Sequence, residues 1–134
     1  MAPFRHRLRV RFHECDPQGI VFNAHYLAYA DIAVTELYRE AFGSWDVPMT
    51  DHGLDMVVAE ATVRYRFPLH FDEEVDLVVS LARLGETSTV TRVDVERDGS
   101  TAAEVELRHV FVEARARTKT PMPGAIREAL ARFA

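Results

Sequence analysis

The chain has 134 residues, of which 48% are hydrophobic and 28% charged, and its formal net charge is −5. This length fits one domain over residues 1–134, because folded domains most often run ~100–150 residues. The acidic balance argues against a general nucleic-acid binder, and no apolar run approaches the ~20 residues of a membrane span. The single cysteine, Cys15, excludes a disulfide framework and a cysteine-based metal site. We expect a cytoplasmic protein with no metal and no membrane span.

The first segment, from Phe4 to Glu14, alternates apolar and polar residues. A period of two predicts a half-buried strand. Its polar register carries a ladder of arginines between Arg5 and Arg11, suited either to subunit contacts or to phosphate. The residues Asp16-Pro17-Gln18-Gly19 then break the pattern and predict a turn.

A helical period follows from about Ala24 to Phe42. Apolar residues recur there three and four positions apart and leave little more than one polar stripe. A helix this apolar is expected to be wrapped by other structure rather than laid on a surface. Asn23 is predicted to cap its first turn, and Gly43 to end it.

The rest of the chain is predicted to be mostly strand. After a loop over Ser44–Leu54, one register of the second strand is apolar: Val57, Ala59, Ala61, Val63, Tyr65 and Phe67. Three further strands are predicted around residues 75–81, 93–95 and 105–111. Asp98-Gly99 predicts a tight hairpin, and a short helix over Gly124–Phe133 ends the chain. One strand, one long helix and four strands indicate an α+β fold in which the strands curl around the helix.

The loop before the long helix is the strongest candidate for a site. It places the carboxylate of Asp16 beside a helix N-terminus, whose unpaired N–H groups and positive dipole end suit an oxyanion or carbonyl. A carboxylate next to a carbonyl-polarising group fits acyl-transfer chemistry. The alternative is that Asp16 only starts a turn before Pro17.

The run FHECDPQGIVFNAHY, from Phe12 to Tyr26, resembles the active-site segment of the 4-hydroxybenzoyl-CoA thioesterase family. A second match follows in VAEATVRYRFPLHFDEEV, which carries Tyr65 and Pro68. The resemblance spans essentially the whole chain. It implies a hotdog fold, an antiparallel five-stranded sheet wrapped around one long central helix.

The resemblance also implies roles for individual residues. Asp16 would act as nucleophile or general base, and the backbone N–H of Asn23 would polarise the thioester carbonyl. Gly19 would let the loop pass close to the thioester, where a Cβ would intrude. The residues expected to bind substrate are Phe22, Tyr26, Asp31 and Ala61 for the acyl part, with Arg83, Arg117 and Lys119 for the phosphates of coenzyme A.

Two residues beside the predicted site, His25 and Cys15, are expected to have no catalytic role. His25 is expected to face solvent or a subunit neighbour, and Cys15 to serve packing.

Ala59, Ala61 and Val63 are expected to wall an acyl pocket with room for a medium chain or a ring. Alternatively, these alanines only let helix and sheet approach closely.

The predicted function is hydrolysis of an acyl- or aroyl-CoA thioester, or of a thioester on acyl-carrier protein. No cofactor is implied beyond the coenzyme A of the substrate, and the resemblance implies a homodimer or a dimer of dimers. The alternative is a non-catalytic hotdog subunit that binds acyl-CoA or acyl-carrier protein. A hotdog hydratase is weaker, because Asp16 and His25 lie nine residues apart instead of five.

Overall fold

A computed structural model describes residues 3–134 of the chain. In chain order the elements are β1 (Phe4–Arg9), α1 (His25–Phe42), α2 (Val47–His52), β2 (Leu54–Tyr65), β3 (Glu74–Leu84), β4 (Ser88–Arg97), β5 (Ser100–Glu113) and α3 (Gly124–Ala131). A single 3₁₀ turn, Phe12–Glu14, lies between β1 and α1.

The five strands form one antiparallel sheet in the order β1-β3-β4-β5-β2. The long helix α1 contributes Tyr29, Ala30, Ala33 and Leu37 to the same buried core as the sheet. Two alanines on the buried stripe let the helix approach the sheet closely. The predicted α+β architecture is confirmed, with β1 and β2 as the two edge strands.

The first strand is shorter than its alternating pattern predicts. Val10 still bonds to the β2–β3 connection, through its N–H to the Glu73 carbonyl (2.9 Å). The chain then turns at Phe12–Glu14, where the backbone N–H of Arg11 donates to Glu14 Oε1 (2.7 Å). Phe12, predicted to share the apolar face, is therefore 79% exposed.

The predicted register of β2 is wrong in its first half. Val58 pairs with His109 and Glu60 pairs with Arg108, so Ala59 is the extra residue of a β-bulge. A bulge reverses which side chains face the core. Val58 therefore shares the helix-side face of the sheet with Ala61, whereas Val57 and Ala59 do not.

The segment predicted as a loop contains the six-residue helix α2. Pro48 stands in its first turn, where proline lacks only an N–H that would be unpaired in any case. Gly53 ends this helix in the left-handed conformation, with φ of 60°. Within residues 3–134, no helix is long and apolar enough to cross a bilayer.

Candidate active site

Asp16 lies on a small hairpin that links the 3₁₀ turn to α1. The Phe22 N–H donates to the Glu14 carbonyl, and the Asp16 N–H donates to the Ile20 carbonyl, each at 2.9 Å. Asp16 Oδ1 accepts the N–H of Gln18 (2.9 Å) and thereby starts the turn. Oδ2 has no hydrogen-bond partner among residues 3–134, so this oxygen is available to a substrate or a water.

Gly19 is required by conformation rather than by space. Its φ is 79°, in the left-handed region that glycine adopts at no steric cost. A Cβ built on Gly19 meets no atom of the described chain within 4 Å. The expectation that a Cβ would intrude on a bound thioester stays a prediction.

The predicted cap of α1 is also wrong. The N-cap position is Ala24, with φ of −72° and ψ of −16°, and no side chain caps the helix. In the described chain, the backbone N–H groups of Asn23 and Ala24 donate to no acceptor, while the His25 N–H bonds to the Phe22 carbonyl (2.8 Å). The start of α1 thus keeps unpaired donors beside Asp16, the arrangement that binds anions and polarised carbonyls.

A cleft of about 380 Å³ opens between this hairpin and the end of β2, a volume within the range of small-molecule sites. Its lining residues are Asp16, Gln18, Ile20, Val21, Asn23, Tyr26, Tyr65, Arg66, Phe67 and Pro68. Of the residues predicted for the site, Asp16, Asn23 and Tyr26 therefore line one cleft.

Two tyrosines form the aromatic wall of the cleft. The rings of Tyr26 and Tyr65 meet edge to face with centroids 5.4 Å apart. Burial raises the pKa of Tyr26 to about 12, so its hydroxyl stays protonated at neutral pH. The Tyr65 hydroxyl donates to the Asn23 carbonyl (2.8 Å) and ties the end of β2 to the start of α1.

Arg66 is the one cation among the described lining residues, and sequence reasoning missed it. Its Nη2 bonds both carboxylate oxygens of Glu104 at 3.0 Å. The hydrogen bond from Arg66, aided by Arg92, lowers the pKa of that carboxyl. Arg66 lies between Tyr65 and Pro68, two residues of the second sequence match. That match could therefore have indicated that Arg66 lines this wall of the cleft. Because β2 ends at Tyr65, residues 66–68 leave the strand and reach the cleft.

Behind the hairpin, away from the cleft, lies a buried polar group that the sequence did not reveal. Glu14 is 3% exposed, and its Oε1 accepts the hydroxyl of Tyr29 (2.7 Å). Burial, and then this bond, raise the pKa of Tyr29, so its hydroxyl remains a donor. His25 does not extend freely into solvent: its side chain is 27% exposed, and its Nε2 lies 3.6 Å from Glu14 Oε2.

Cys15 lies between the two carboxylates of this segment and packs against the core. Burial, and then the charges of Glu14 and Asp16, raise the pKa of its thiol. A thiol held protonated is a poor nucleophile. The prediction that Cys15 serves packing agrees with this environment.

Three residues predicted to bind the acyl group do not line the cleft. Phe22 is exposed beside the hairpin, and Asp31 is exposed on α1, six residues beyond the helix start. Ala61 faces the helix side of β2 but is exposed, because β2 is an edge strand. Their roles in substrate binding stay predictions.

The basic residues predicted for the phosphates lie at the other end of the sheet. Arg83 is at the end of β3, and Arg117 pairs with Asp55 (3.2 Å) near the start of β2. Lys119 bridges to Val112 at the same end. The cleft adjoins the opposite end of β2, roughly 35 Å along the strand. The role of these three residues in binding coenzyme A stays a prediction.

The chain is similar in sequence to known proteins. The sequence model of the thioesterase-like superfamily matches residues 10–130. An Aquifex aeolicus protein named "Putative esterase" is 30% identical over 111 residues, 83% of this chain and 86% of that protein. The "Acyl-CoA thioester hydrolase YbgC" of Escherichia coli O157:H7 is 29% identical over 111 residues, 82% of each chain.

The three-dimensional comparison agrees with the sequence comparison. The crystal structure of a hypothetical protein from Aquifex aeolicus superposes with a TM-score of 0.88 at 28% identity, covering 96% of this chain and 99% of that one. The matched residues 10–130 contain the Asp16 hairpin, α1 and strands β2 to β5. The predicted hotdog fold and the class of thioester hydrolase are thus confirmed, and the chain belongs to the thioesterase-like superfamily.

Proposed function

We propose that this protein hydrolyses acyl- or aroyl-CoA thioesters, with Asp16 as the reacting carboxylate. One observation carries the proposal. Asp16, whose Oδ2 is unbonded in the described chain, and Asn23, whose backbone N–H is unpaired there, both line the same cleft. A base or nucleophile and an oxyanion cradle are the two parts that acyl transfer needs. The relative YbgC, named as an acyl-CoA thioester hydrolase, supports the choice of substrate class.

As a general base, Asp16 takes a proton from a water while the water oxygen bonds to the thioester carbon. The carbonyl electron pair moves to oxygen, and the N–H of Asn23 stabilises the resulting oxyanion. Collapse of this intermediate breaks the C–S bond, and the proton on Asp16 passes to the leaving thiolate. The products are a carboxylic acid and free coenzyme A.

As a nucleophile, a carboxylate oxygen of Asp16 would instead bond to the acyl carbon, and the C–S bond would break to release the coenzyme A thiolate, which takes a proton from solvent. Water would then open the resulting mixed anhydride to the carboxylic acid and free Asp16. A single turnover in ¹⁸O-water can distinguish the two routes. The general-base route places the label in the product acid only. In the anhydride route, water that attacks the acyl carbon also labels the product, whereas water that attacks the Asp16 carbonyl labels Asp16. Label on Asp16 would identify the anhydride, so mass spectrometry of both species is the informative measurement.

The principal test is Asp16→Asn. The amide keeps an oxygen for the turn bond to Gln18 but loses the basic carboxylate, so kcat should fall by at least ~10²-fold across a panel of short, long and aromatic CoA thioesters. Asp51→Asn, on the surface of α2, is the matched control and should keep the wild-type rate. Equal activity of Asp16→Asn and wild type would contradict the proposal. Acyl-CoA binding without any hydrolysis would instead favour the non-catalytic subunit.

We also propose a homo-oligomer, a dimer at minimum and a dimer of dimers as the fuller assembly, joined through β2. This edge strand is twelve residues long and exposes Val57 and Val58, at 41% and 55%. The other edge, β1, is covered by arginines already paired with β3, among them Arg7 with Asp76 (3.0 Å). Charged edges resist pairing, whereas apolar edges invite it. Light scattering should give at least twice 15.2 kDa; a mass near 15.2 kDa would contradict this.

The remaining expectations stay predictions. They are a cytoplasmic location, and no cofactor or metal beyond the coenzyme A of the substrate. A role in phosphate binding for Arg83, Arg117 and Lys119 is a prediction of the same kind.

A further inference from the structure

The buried carboxylate of Glu14 takes no part in the proposed chemistry, yet one of its oxygens accepts two hydrogen bonds and the other lies near two basic side chains. Oε1 accepts the backbone N–H of Arg11 and the hydroxyl of Tyr29, each at 2.7 Å. Oε2 lies 3.6 Å from His25 Nε2 and 3.9 Å from Arg11 Nη1. A buried carboxylate costs free energy unless it is well paired, so apolar side chains would fill this space more cheaply.

The position of Glu14 connects the two halves of the candidate active site. Its main-chain carbonyl accepts the Phe22 N–H (2.9 Å) and so forms the base of the hairpin that carries Asp16 two residues later. Its side chain bonds to Tyr29, in the second turn of α1, the helix whose start supplies the unpaired N–H groups. Movement of this carboxylate relative to α1 therefore moves Asp16 relative to the oxyanion cradle.

We propose that Glu14 is a positioning residue that fixes Asp16 against the N-terminus of α1 through its hydrogen bond from Tyr29. This inference rests on the proposed function. Acyl transfer is sensitive to such placement, since a shift of about 1 Å in a reacting group lowers rates by up to ~10²-fold. The contact between Tyr29 and Glu14 positions Asp16 through a hydrogen bond, so the role requires an acceptor oxygen at the Oε1 position and not the negative charge of Glu14.

A pair of tyrosine variants on one helix provides the test. Tyr29→Phe removes the hydroxyl that bonds to Glu14, and Tyr38→Phe removes another buried hydroxyl nine residues further along, which bonds to the Met56 sulfur. Both variants lose one buried hydroxyl and keep the ring. In Tyr29→Phe, kcat should fall about 10-fold or more with KM within about 2-fold of wild type, whereas Tyr38→Phe should keep both values.

Conservative substitution at Glu14 gives the complementary result. Glu14→Gln keeps an oxygen at Oε1 and should retain kcat within about 3-fold, whereas Glu14→Leu should lose about 10- to 100-fold at unchanged KM. All rates are measured well below the melting temperature, where loss of stability alone does not lower kcat. If Glu14→Leu does not fold, the tyrosine pair decides.

Amide hydrogen exchange separates this inference from the proposed function. The N–H groups of Asp16 and Phe22 should exchange faster in Tyr29→Phe than in Tyr38→Phe, because the hairpin has lost its tie to α1. Equal exchange, or equal kcat in the two tyrosine variants, would overturn the positioning role. A wild type that hydrolyses no thioester would end the proposed function, and the exchange comparison would still decide whether Tyr29 and Glu14 hold the hairpin.

Discussion

The two ends of helix α1 are built for different purposes. At its start, as far as residues 3–134 show, no side chain caps the helix, the backbone N–H groups of Asn23 and Ala24 are unpaired, and the surrounding side chains include tyrosines and carboxylates. At its end, Gly43 adopts φ of 83° and its N–H closes the last turn on the Arg39 carbonyl (2.9 Å). There Tyr38 and Phe42 meet edge to face, with centroids 5.4 Å apart.

This difference shows how one element serves both stability and function. Unpaired donors and partly buried charges are unfavourable for folding, but they are what an anionic transition state needs. The closed end contributes the burial that offsets them, with Leu37 fully enclosed in the core. Substitutions at the open end should therefore act mainly on rate, and substitutions at the closed end mainly on the free energy of unfolding.

The largest effect is expected at the closed end. Leu37→Ala removes a fully buried side chain and should lower the free energy of unfolding by ~2–5 kcal/mol, through lost burial and the cavity left behind. Because Leu37 lies about three turns from the start of α1, kcat measured below the melting temperature should not change. Urea denaturation and steady-state assays of one preparation check both halves. A large kcat loss in folded Leu37→Ala would break the comparison.

A smaller loss of stability is expected on replacing either of two glycines that have similar backbone geometry. Gly19 and Gly43 have φ of 79° and 83°, and neither would place a Cβ within 4 Å of another atom of the described chain. Alanine at either position should therefore cost only the strain of the left-handed conformation, ~1–2 kcal/mol.

The activities of these two variants should nevertheless differ. Gly19→Ala should also lower kcat, since strain there acts on the hairpin of Asp16, whereas Gly43→Ala should not. Asparagine tolerates the left-handed region better and should recover part of each loss. Thermal melts and kcat for the four variants test this, and identical kcat for Gly19→Ala and Gly43→Ala would remove the distinction between the ends.

The smallest expected effect is a pH dependence of the free energy of unfolding, which comes from the buried His109 on β5. Burial lowers the pKa of His109, on β5, although the charge of Asp31 on α1 opposes the shift. The unfolded chain therefore binds a proton at this site before the folded chain does. Stability should fall as the pH drops below the ordinary histidine pKa of ~6.5, with a slope of no more than about 1.4 kcal/mol per pH unit, until the folded pKa is passed.

His109→Leu should flatten this part of the stability curve between about pH 7 and pH 5, the range in which an unperturbed histidine takes up its proton. His52→Asn, on the surface of α2, controls for the loss of an imidazole elsewhere. Urea midpoints at a series of pH values are the measurement. An unchanged slope in His109→Leu would assign the dependence to other groups.

Much of the fold was accessible from local pattern. The alternation over Phe4–Arg9, the 3.6-residue period of α1 and the stop at Gly43 are each set by neighbouring residues, and the structure confirms all three, although the first strand ends earlier than predicted. The DPQG segment was equally informative, because a turn and a helix start adjacent in sequence are necessarily adjacent in space. Asp16, Asn23 and Tyr26 therefore line one cleft, as predicted.

The errors share a different cause, namely contacts between residues distant in sequence. Ala59 forms a bulge only because of how β2 pairs with β5, and a period-two pattern carries no mark of one extra residue. The strand pattern was predicted to run on to Phe67, but β2 ends at Tyr65, so Arg66 reaches the cleft.

The sequence by itself determined most of the element types and the family, and it placed the carboxylate of Asp16 just before the long helix, because periodicity, turn chemistry and a contiguous motif are local properties of the chain. Only the tertiary structure decided that Glu14 is buried, since that depends on Tyr29 lying across from it on α1. It also decided that β2, rather than β1, exposes apolar residues at the edge of the sheet. Burial and pairing are properties of what surrounds a residue, and folding brings those surroundings from remote parts of the chain.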